Sequence, residues 1–317
     1  CGQAEAPEGT PNNPAPGPQV NANNIKDVTL RFIGTGVAQV NDIRDKAQED
    51  LGFKIELKAL STEENNQIAI TQPGQYDMFD GEYFSLPLVI PSGNLQAIDV
   101  SRIKNFDKIA SFFTAGEFNG LPVENAQGTA PIKVMYLKDK DSKEFSATPT
   151  NWATLIPFQY NADTLGYRPD LVGREITSWA DLFDPAFQGK TSILDIPSIG
   201  IMDAALVVEA AGLMTFGDKG NMTKEEIDQI TDILIEKKKE GQFRAFWKTF
   251  DESVNLMSSG EVILQSMWSP AVTAVRAKGI ECIYAPLKEG YRAWGGGIGM
   301  SAAMEGAKLD AAYAYME

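Results

Sequence analysis

The sequence contains no histidine, only two cysteines, and no run of about 18 apolar residues that could span a bilayer. Histidine is the commonest general base and the commonest protein ligand for zinc. Its absence excludes Ser-His and Cys-His catalytic pairs, and with them most familiar hydrolase mechanisms. We therefore expect no enzymatic activity, no metal site and no cofactor.

Basic residues are also in the minority. Lys and Arg number 28 against 43 Asp and Glu, so the formal net charge is −15. Such a surface repels nucleic acid and anionic lipid head groups. A length of 317 residues allows one large domain or two ordinary ones. The composition thus predicts a globular protein with no nucleic-acid partner.

The two cysteines, Cys1 and Cys282, are not expected to form a disulfide. Cys1 opens a polar segment, whereas Cys282 lies in the apolar, strand-like run 280–284. We predict that Cys282 is a small, buried core residue. The alternative is a reactive or solute-contacting thiol.

Cys1 as the first residue resembles the start of a bacterial lipoprotein after removal of its signal peptide, in which the thiol carries a lipid. The alternative is a chain that merely starts at this position. The segment that follows is rich in Gly, Pro, Ala and Asn, which cannot bury enough apolar surface to fold. We therefore predict a disordered tether over 1–24 and a location at the cell surface or in the periplasm, with the membrane reached through the lipid on Cys1.

After the tether the pattern alternates between strands and helices. Residues 28–33 and 53–59 alternate as strands do, and 40–51 carries apolar residues at helical spacing. Ser61 and Glu64 have the spacing of a capping box and predict another helix start. Alternating strands and helices predict an α/β fold with a parallel sheet.

The same pattern resumes after a polar stretch, which predicts a second lobe. We predict two α/β lobes joined by crossing strands, with lobe 1 over 25–150 plus 286–317 and lobe 2 over 151–285. The predicted elements of the second half are a strand within 152–160, a helix 179–183 capped by Ser178, a strand 191–194, a helix 199–211, a helix capped by Thr223 with Glu226, a strand 262–267, and a helix with Ser269 as N-cap and Pro270 in its first turn.

The chain ends as Leu309, Ala312, Tyr313 and Met316 set up a new helical face. We expect that lobe 1 is truncated at its C-terminal end.

The segment Thr177-Ser178-Trp179-Ala180-Asp181-Leu182-Phe183-Asp184-Pro185-Ala186-Phe187-Gln188-Gly189-Lys190 resembles a signature of bacterial extracellular solute-binding proteins, closest to the spermidine/putrescine-binding branch. Weaker similarities extend over about 26–317. The resemblance implies a type II periplasmic-binding-protein fold, whose two lobes hinge shut on a solute in the cleft between them. It also implies a monomer that serves as the substrate-binding subunit of an ABC importer and delivers its solute to the permease.

The resemblance places aromatic ligand residues at Tyr83, Trp268 and Trp294. The family's ligand carboxylates, in contrast, fall near Ile196, Ile199 and Gly296. A polyamine would then lack the paired charges that a buried cation requires. The alternative is a true spermidine/putrescine-binding protein in which Asp80, Glu82 and the candidate ligand residue Asp195 compensate.

The remaining candidate ligand residues are Thr35 and Gly36, Ser198, Ser269 and Arg292. Helix N-termini and an arginine suit an anion, and the aromatic residues suit a quaternary ammonium head, so we predict an anionic or zwitterionic solute. The alternatives are that the Ser and Thr residues only cap helices and that Arg292 lies on the surface.

Two other functions are compatible with a lipid-anchored protein of two lobes. A lipoprotein enzyme on the same fold would need a nucleophile or paired carboxylates across the cleft, and the sequence offers no histidine to support one. A ligand-sensing partner of a membrane receptor would have the same cleft. The sequence does not separate it from a transport receptor.

Overall fold

A computed structural model describes residues 25–124 and 126–317, so Cys1 and the predicted tether lie outside the described residues. The strands are β1 (Thr29–Gly34), β2 (Lys54–Ala59), β3 (Met78–Glu82), β4 (Leu95–Gln96), β5 (Ile98–Asp99), β6 (Glu117–Phe118), β7 (Leu121–Pro122), β8 (Trp152–Ala153), β9 (Ile156–Tyr167), β10 (Thr191–Leu194), β11 (Phe243–Trp247), β12 (Leu264–Met267), β13 (Ile283–Tyr284) and β14 (Arg292–Ser301). The α-helices are α1 (Asn41–Leu51), α2 (Thr62–Thr71), α3 (Leu86–Val89), α4 (Ser111–Thr114), α5 (Pro131–Val134), α6 (Pro169–Val172), α7 (Pro197–Ala210), α8 (Lys224–Lys239), α9 (Phe250–Ser259), α10 (Ser269–Ala277) and α11 (Gly306–Met316).

The main sheet has the strand order β11-β10-β12-β9-β14-β3-β1-β2. At one end β1 pairs in parallel with β2 and β3, and at the other end β10 pairs in parallel with β11 and β12. The two long strands β9 and β14 pair antiparallel between these units. Two parallel α/β units are therefore joined by a central antiparallel pair.

Each parallel unit has its own apolar core. The first core includes Leu30, Phe32 and Met78, and the second includes Trp179 and Val207. We call the elements around them the first and second lobes. Strand β9 contributes Ile156 to the first core and Leu165 to the second, so the chain crosses between lobes along this strand.

Leu287 and Gly290 contact the second lobe. Leu287 packs in the second core, and the indole N–H of Trp179 donates to the carbonyl of Gly290 at 2.9 Å. We propose that the chain leaves the second lobe after Gly290. The predicted limits at 150 and 285 stay predictions.

Several local predictions are confirmed. Ser61 with Glu64 and Thr223 with Glu226 form complete capping boxes at α2 and α8. Ser178 caps a helix over Trp179–Phe183, although this helix is of the 3₁₀ type. Each cap satisfies backbone N–H groups that the first helical turn leaves free.

Two other predictions are corrected. The strand predicted within 152–160 is two strands, because β8 ends at Ala153 and β9 begins at Ile156. Ser269 is the first residue of α10 and not its N-cap; that position belongs to Trp268, whose side chain makes no capping bond. The Ser269 hydroxyl instead accepts a hydrogen bond from the Asn161 amide at 2.9 Å.

Cys282 is buried in a small apolar cluster of the second lobe and forms no disulfide within the described part of the chain. Burial raises the pKa of its thiol to about 11. A neutral thiol is a poor nucleophile, so the prediction of a structural core residue is confirmed.

Candidate functional site

The first-lobe candidates lie at the C-terminal ends of neighbouring parallel strands. Thr35 and Gly36 follow β1, and Tyr83 follows β3. The backbone N–H and the hydroxyl of Thr35 both donate to Asp80 at 3.2 Å. Open α/β sheets bind ligands at this edge because the loops there leave a crevice between strands.

The second-lobe candidates occupy the equivalent edge of the other parallel unit. Asp195 follows β10, Ser198 lies in the first turn of α7, and Trp268 follows β12. The Ser198 hydroxyl donates to the Glu63 carboxylate of α2 at 3.1 Å. The two strand edges therefore face each other, and we call the region between them the interlobe site.

An aromatic and aliphatic cluster lies between the lobes at the interlobe site. Phe84 of the first lobe packs against the second-lobe cluster of Leu194, Ile199 and Trp247, against which Ile196 and Trp268 also pack. The two tryptophan rings meet edge to face with centroids 4.9 Å apart. Ile196 and Ile199 thus supply apolar surface here.

Tyr83 belongs to the first core in this conformation. Its side chain is 2% exposed, its ring stacks on Phe113 with centroids 6.0 Å apart, and its hydroxyl lies 3.6 Å from the sulfur of Met135. Burial raises the pKa of this phenol well above its ordinary range. The adjacent Phe84, which no sequence signal distinguishes from Tyr83, contacts the second lobe.

Arg292 is engaged in a buried ion-pair triad. Its guanidinium donates to Asp203 at 2.6 Å and to Asp163 at 2.9 Å. All three side chains are less than a tenth exposed. Burial, and then repulsion from Asp203, raise the pKa of Asp163 to about 6 against the attraction of Arg292. Two carboxylates already occupy the guanidinium, so this geometry does not favour its use as an anion clamp.

Two further candidates lie beside β9. Trp294 is half-buried on β14 and pairs across the sheet with Asn161. The side chain of Asn161 also donates to Ser269, so this one residue links the candidates Trp294 and Ser269.

Asp195 forms a salt bridge with Lys248 at 3.3 Å and is half-exposed, so its charge is already balanced.

Two buried carboxylates lie in the first lobe next to the interlobe site. Asp80 accepts hydrogen bonds from Thr35 and, at 3.0 Å, from the Gln159 amide. Glu82 accepts one from Thr62 at 3.2 Å. Burial raises the pKa of Asp80 to about 6. Burial, and then the charge of Asp80, raise that of Glu82 to about 8.

A second interlobe contact lies away from β9 and β14. The backbone N–H of Gly128 donates to both oxygens of Asp218, and the side-chain oxygen of Gln127 accepts from the backbone N–H of Lys219 at 3.3 Å. Together with the bond between Ser198 and Glu63, this contact links the two lobes.

Among the described residues, no group of three or more His, Cys, Asp or Glu side chains is arranged to hold a metal ion. Within the same ranges, every helix falls short of the length and apolar character that a membrane crossing needs.

These features match one family of known proteins. A family model for bacterial extracellular solute-binding proteins matches residues 42–317. The chain belongs to this family. The match confirms the resemblance carried by the segment Thr177–Lys190.

Individual relatives agree with this assignment. The chain is 25% identical over 253 residues to the spermidine/putrescine-binding periplasmic protein of Escherichia coli strain K12, covering 78% of this chain and 60% of that protein. The chain thus spans about 60% of the length of this relative.

Solved structures confirm the two-lobed α/β fold. A spermidine/putrescine ABC transporter substrate-binding protein from Streptococcus pneumoniae superposes with a TM-score of 0.63 at 14% identity, covering 91% of this chain and 77% of that chain. A lipoprotein from Treponema pallidum superposes with a TM-score of 0.66 at 10% identity, covering 91% and 80%. At these identities the likeness shows the fold alone.

Proposed function

We propose that this protein is the solute-binding subunit of an ABC importer, which captures a small solute at the interlobe site and delivers it to a membrane permease. The observation that carries this proposal is the apolar cluster that joins Phe84 to Trp247 and Trp268 across the two lobes. A hinged receptor needs such a site, in which side chains from both lobes converge only when the lobes are closed. Family membership supports the same conclusion.

The mechanism follows from the connection between the lobes. Opening by rotation about β9 and β14 would separate Phe84 from the cluster around Trp247 and break the bond between Ser198 and Glu63. A solute that contacts both lobes favours the closed form by its differential affinity for that form. The permease would then recognise the closed form. This cycle requires no catalytic residue, and we propose no enzymatic activity.

The proposal includes a location and an anchor. The family is extracellular, and Cys1 would carry a lipid that anchors the protein at the outer side of the bacterial membrane. The proposed oligomeric state is a monomer. Cys1→Ser tests the anchor, because it removes the acceptor thiol. The full-length protein is expected in the membrane fraction, and the variant in the soluble fraction.

A thermal-shift screen tests the proposed function. The untagged protein is mixed with polyamines, amino acids, betaines, dicarboxylates and phosphonates at saturating concentrations. A solute at 100 times its dissociation constant adds about 2.7 kcal/mol, which raises Tm visibly. Stabilisation by one class and silence from the others would support the receptor. No stabilisation by any class would contradict it.

A further inference from the structure

The strongest unassigned feature is an apolar tip on the hairpin that β6 and β7 form in the first lobe. Phe118 and Leu121 are register partners across this hairpin, so their side chains lie side by side on one face. Phe118 is 66% exposed and Leu121 is 69% exposed, and the exposed Val123 follows directly after β7. We call these three residues the hairpin tip. Neighbouring large apolar side chains that face water mark a candidate interaction surface.

The backbone holds the hairpin tip in place. Asn119 and Gly120 have φ values of 52° and 76°, and a positive φ at both central residues is typical of a type I′ turn. At the base of the hairpin, the backbone N–H of Val123 donates to the carbonyl of Gly116 at 2.8 Å. Among the described residues, β6 and β7 pair only with each other. The apolar side chains are therefore displayed outward by the turn and the base, and they are not needed to complete a larger sheet.

The hairpin tip lies close to a contact between the lobes. Four residues separate Val123 from Gly128, whose backbone N–H donates to Asp218 of the second lobe. A chain of this length reaches at most about 18 Å. On the second-lobe side, Leu213 is 48% exposed in the loop 211–223, which also contains Asp218. Apolar residues are therefore exposed near the contact on both lobes, and opening the lobes would move them apart.

The charge of the segment narrows the choice of partner. Glu117 and Glu124 are the only charged residues in 109–132. The next basic residue, Lys133, is engaged with the carbonyls of Ala126 and Gly128. An anionic lipid surface attracts basic segments, so this acidic one does not favour it. A second copy of the chain would present the same two acids and be repelled. An apolar socket with a basic rim on another protein complements the hairpin tip.

We propose that the hairpin tip and Leu213 form a docking surface for the outer face of the membrane permease, which would supply an apolar socket rimmed by basic residues. This inference rests on the proposed function, and it adds how the permease distinguishes the closed form. The hairpin tip belongs to one lobe and Leu213 to the other. Only the closed arrangement presents both at the spacing that a complementary rigid surface requires.

Photo-crosslinking in intact cells tests this docking surface. The full-length protein, produced in the bacterium that encodes it, carries p-benzoylphenylalanine in place of Phe118. A control variant carries the same probe in place of Leu88, which is 65% exposed in α3 of the first lobe. Ultraviolet light joins the probe to the molecule that it touches, and mass spectrometry identifies the product.

The expected product from position 118 is a conjugate with a transmembrane subunit of an ABC importer, with none from position 88. Gly220→Ala should remove most of this conjugate, because a Cβ atom there would lie 2.5 Å from the Cα of Gly128 and keep the lobes from closing fully. A conjugate with lipid, with a second copy of the chain or with a membrane protein of another class would overturn the proposal. So would the absence of any conjugate from position 118.

Solute uptake by whole cells measures the same surface independently. The double variant Phe118→Thr with Leu121→Thr removes the apolar tip and keeps residues that suit a strand. The probe is a labelled form of whichever screened compound raises Tm. Uptake should fall at least about tenfold. The solute Kd of the purified double variant should equal that of the wild type, which also shows that it is folded.

Two controls keep the apolar surface. Phe118→Leu with Leu121→Ile preserves an apolar tip, and Leu88→Gln removes an equally exposed leucine elsewhere. Both should retain wild-type uptake. Full uptake by the threonine double variant, or an equal loss in Leu88→Gln, would overturn the docking surface and leave the receptor intact. A weaker solute Kd in the threonine double variant would assign the tip to solute binding and also overturn it. A silent thermal-shift screen would refute the proposed function, and the docking surface with it.

Discussion

The backbone N–H of Gly128 donates to both carboxylate oxygens of Asp218, at 2.7 and 2.9 Å, across the interface between the lobes. The two backbone segments approach so closely here that a Cβ atom added at Gly220 would lie 2.5 Å from the Cα of Gly128. A backbone atom cannot move aside to relieve so short a contact. Closure thus depends on a glycine at position 220.

Gly220→Ala is expected to block full closure without harming either lobe. The backbone φ of Gly220 lies outside the left-handed region, so alanine is tolerated in the open form. Solute affinity should fall about tenfold, measured by calorimetry, while the solute-free Tm stays unchanged. Gly217→Ala is the matched control, because a Cβ there meets nothing within 4 Å. Wild-type affinity in Gly220→Ala would contradict the close contact between the lobes.

Phe84→Ala should weaken solute binding while both lobes remain folded. Phe84 is only partly buried, and the cluster of Leu194, Ile199 and Trp247 against which it packs belongs to the other lobe. Loss of this ring from the closed form should cost about 1–3 kcal/mol of binding free energy, or roughly 5- to 150-fold in Kd. Phe118→Ala, at a ring 66% exposed, is the control. Unchanged Kd in Phe84→Ala would show that the cluster does not form in the bound state.

Arg292→Met should lower the free energy of unfolding by about 3–5 kcal/mol, because it leaves Asp163 and Asp203 buried without a cation. Urea denaturation followed by tryptophan fluorescence measures this change. Adding Asp203→Asn to Arg292→Met should restore part of the loss. Arg44→Met, at an exposed pair with Asp45, should leave the urea midpoint unchanged. A stable Arg292→Met that has lost only solute binding would restore the anion-clamp interpretation of this arginine.

The stability of the solute-free protein should fall as pH rises. Burial raises the pKa of Glu82 from 4.5 to about 8, so the folded state holds this proton more tightly than the unfolded state. Its contribution to stability is fully present below about pH 4.5 and is lost as pH passes through about 8. Asp80 and Asp163, each with a pKa raised to about 6, act in the same direction.

Melting curves between about pH 5 and pH 8.5 check this dependence. Tm of the wild-type protein should decrease over the range, and Glu82→Gln should show a shallower decrease that ends near pH 7. Glu56→Gln, at an exposed acid of β2, is the control and should follow the wild type. A Tm that rises with pH through this range would contradict a buried, protonated Glu82.

The local elements were predictable from the sequence because their signals are local. The capping pairs Ser61–Glu64 and Thr223–Glu226 and the strand at 191–194 depend on neighbours a few residues apart. The resemblance of Thr177–Lys190 supplied the family, which the family model confirms.

The interlobe site was harder to predict because its contacts join distant parts of the chain. Arg292 meets Asp203 and Asp163 from 89 and 129 positions away, and no local pattern reveals such pairs. The sequence points to Tyr83 and not to Phe84, because a pair of adjacent aromatic residues does not show which ring faces outward. The lone sequence signal for the buried carboxylates Asp80 and Glu82 was their spacing, which places both on one strand face.

Small-angle X-ray scattering of the wild-type protein, with and without the solute identified by the thermal-shift screen, tests solute-driven closure most directly. A smaller radius of gyration is expected in the presence of solute, with no such decrease for Gly220→Ala. An identical radius with and without a solute that calorimetry shows to be bound at saturation would contradict a receptor that works by closing its two lobes.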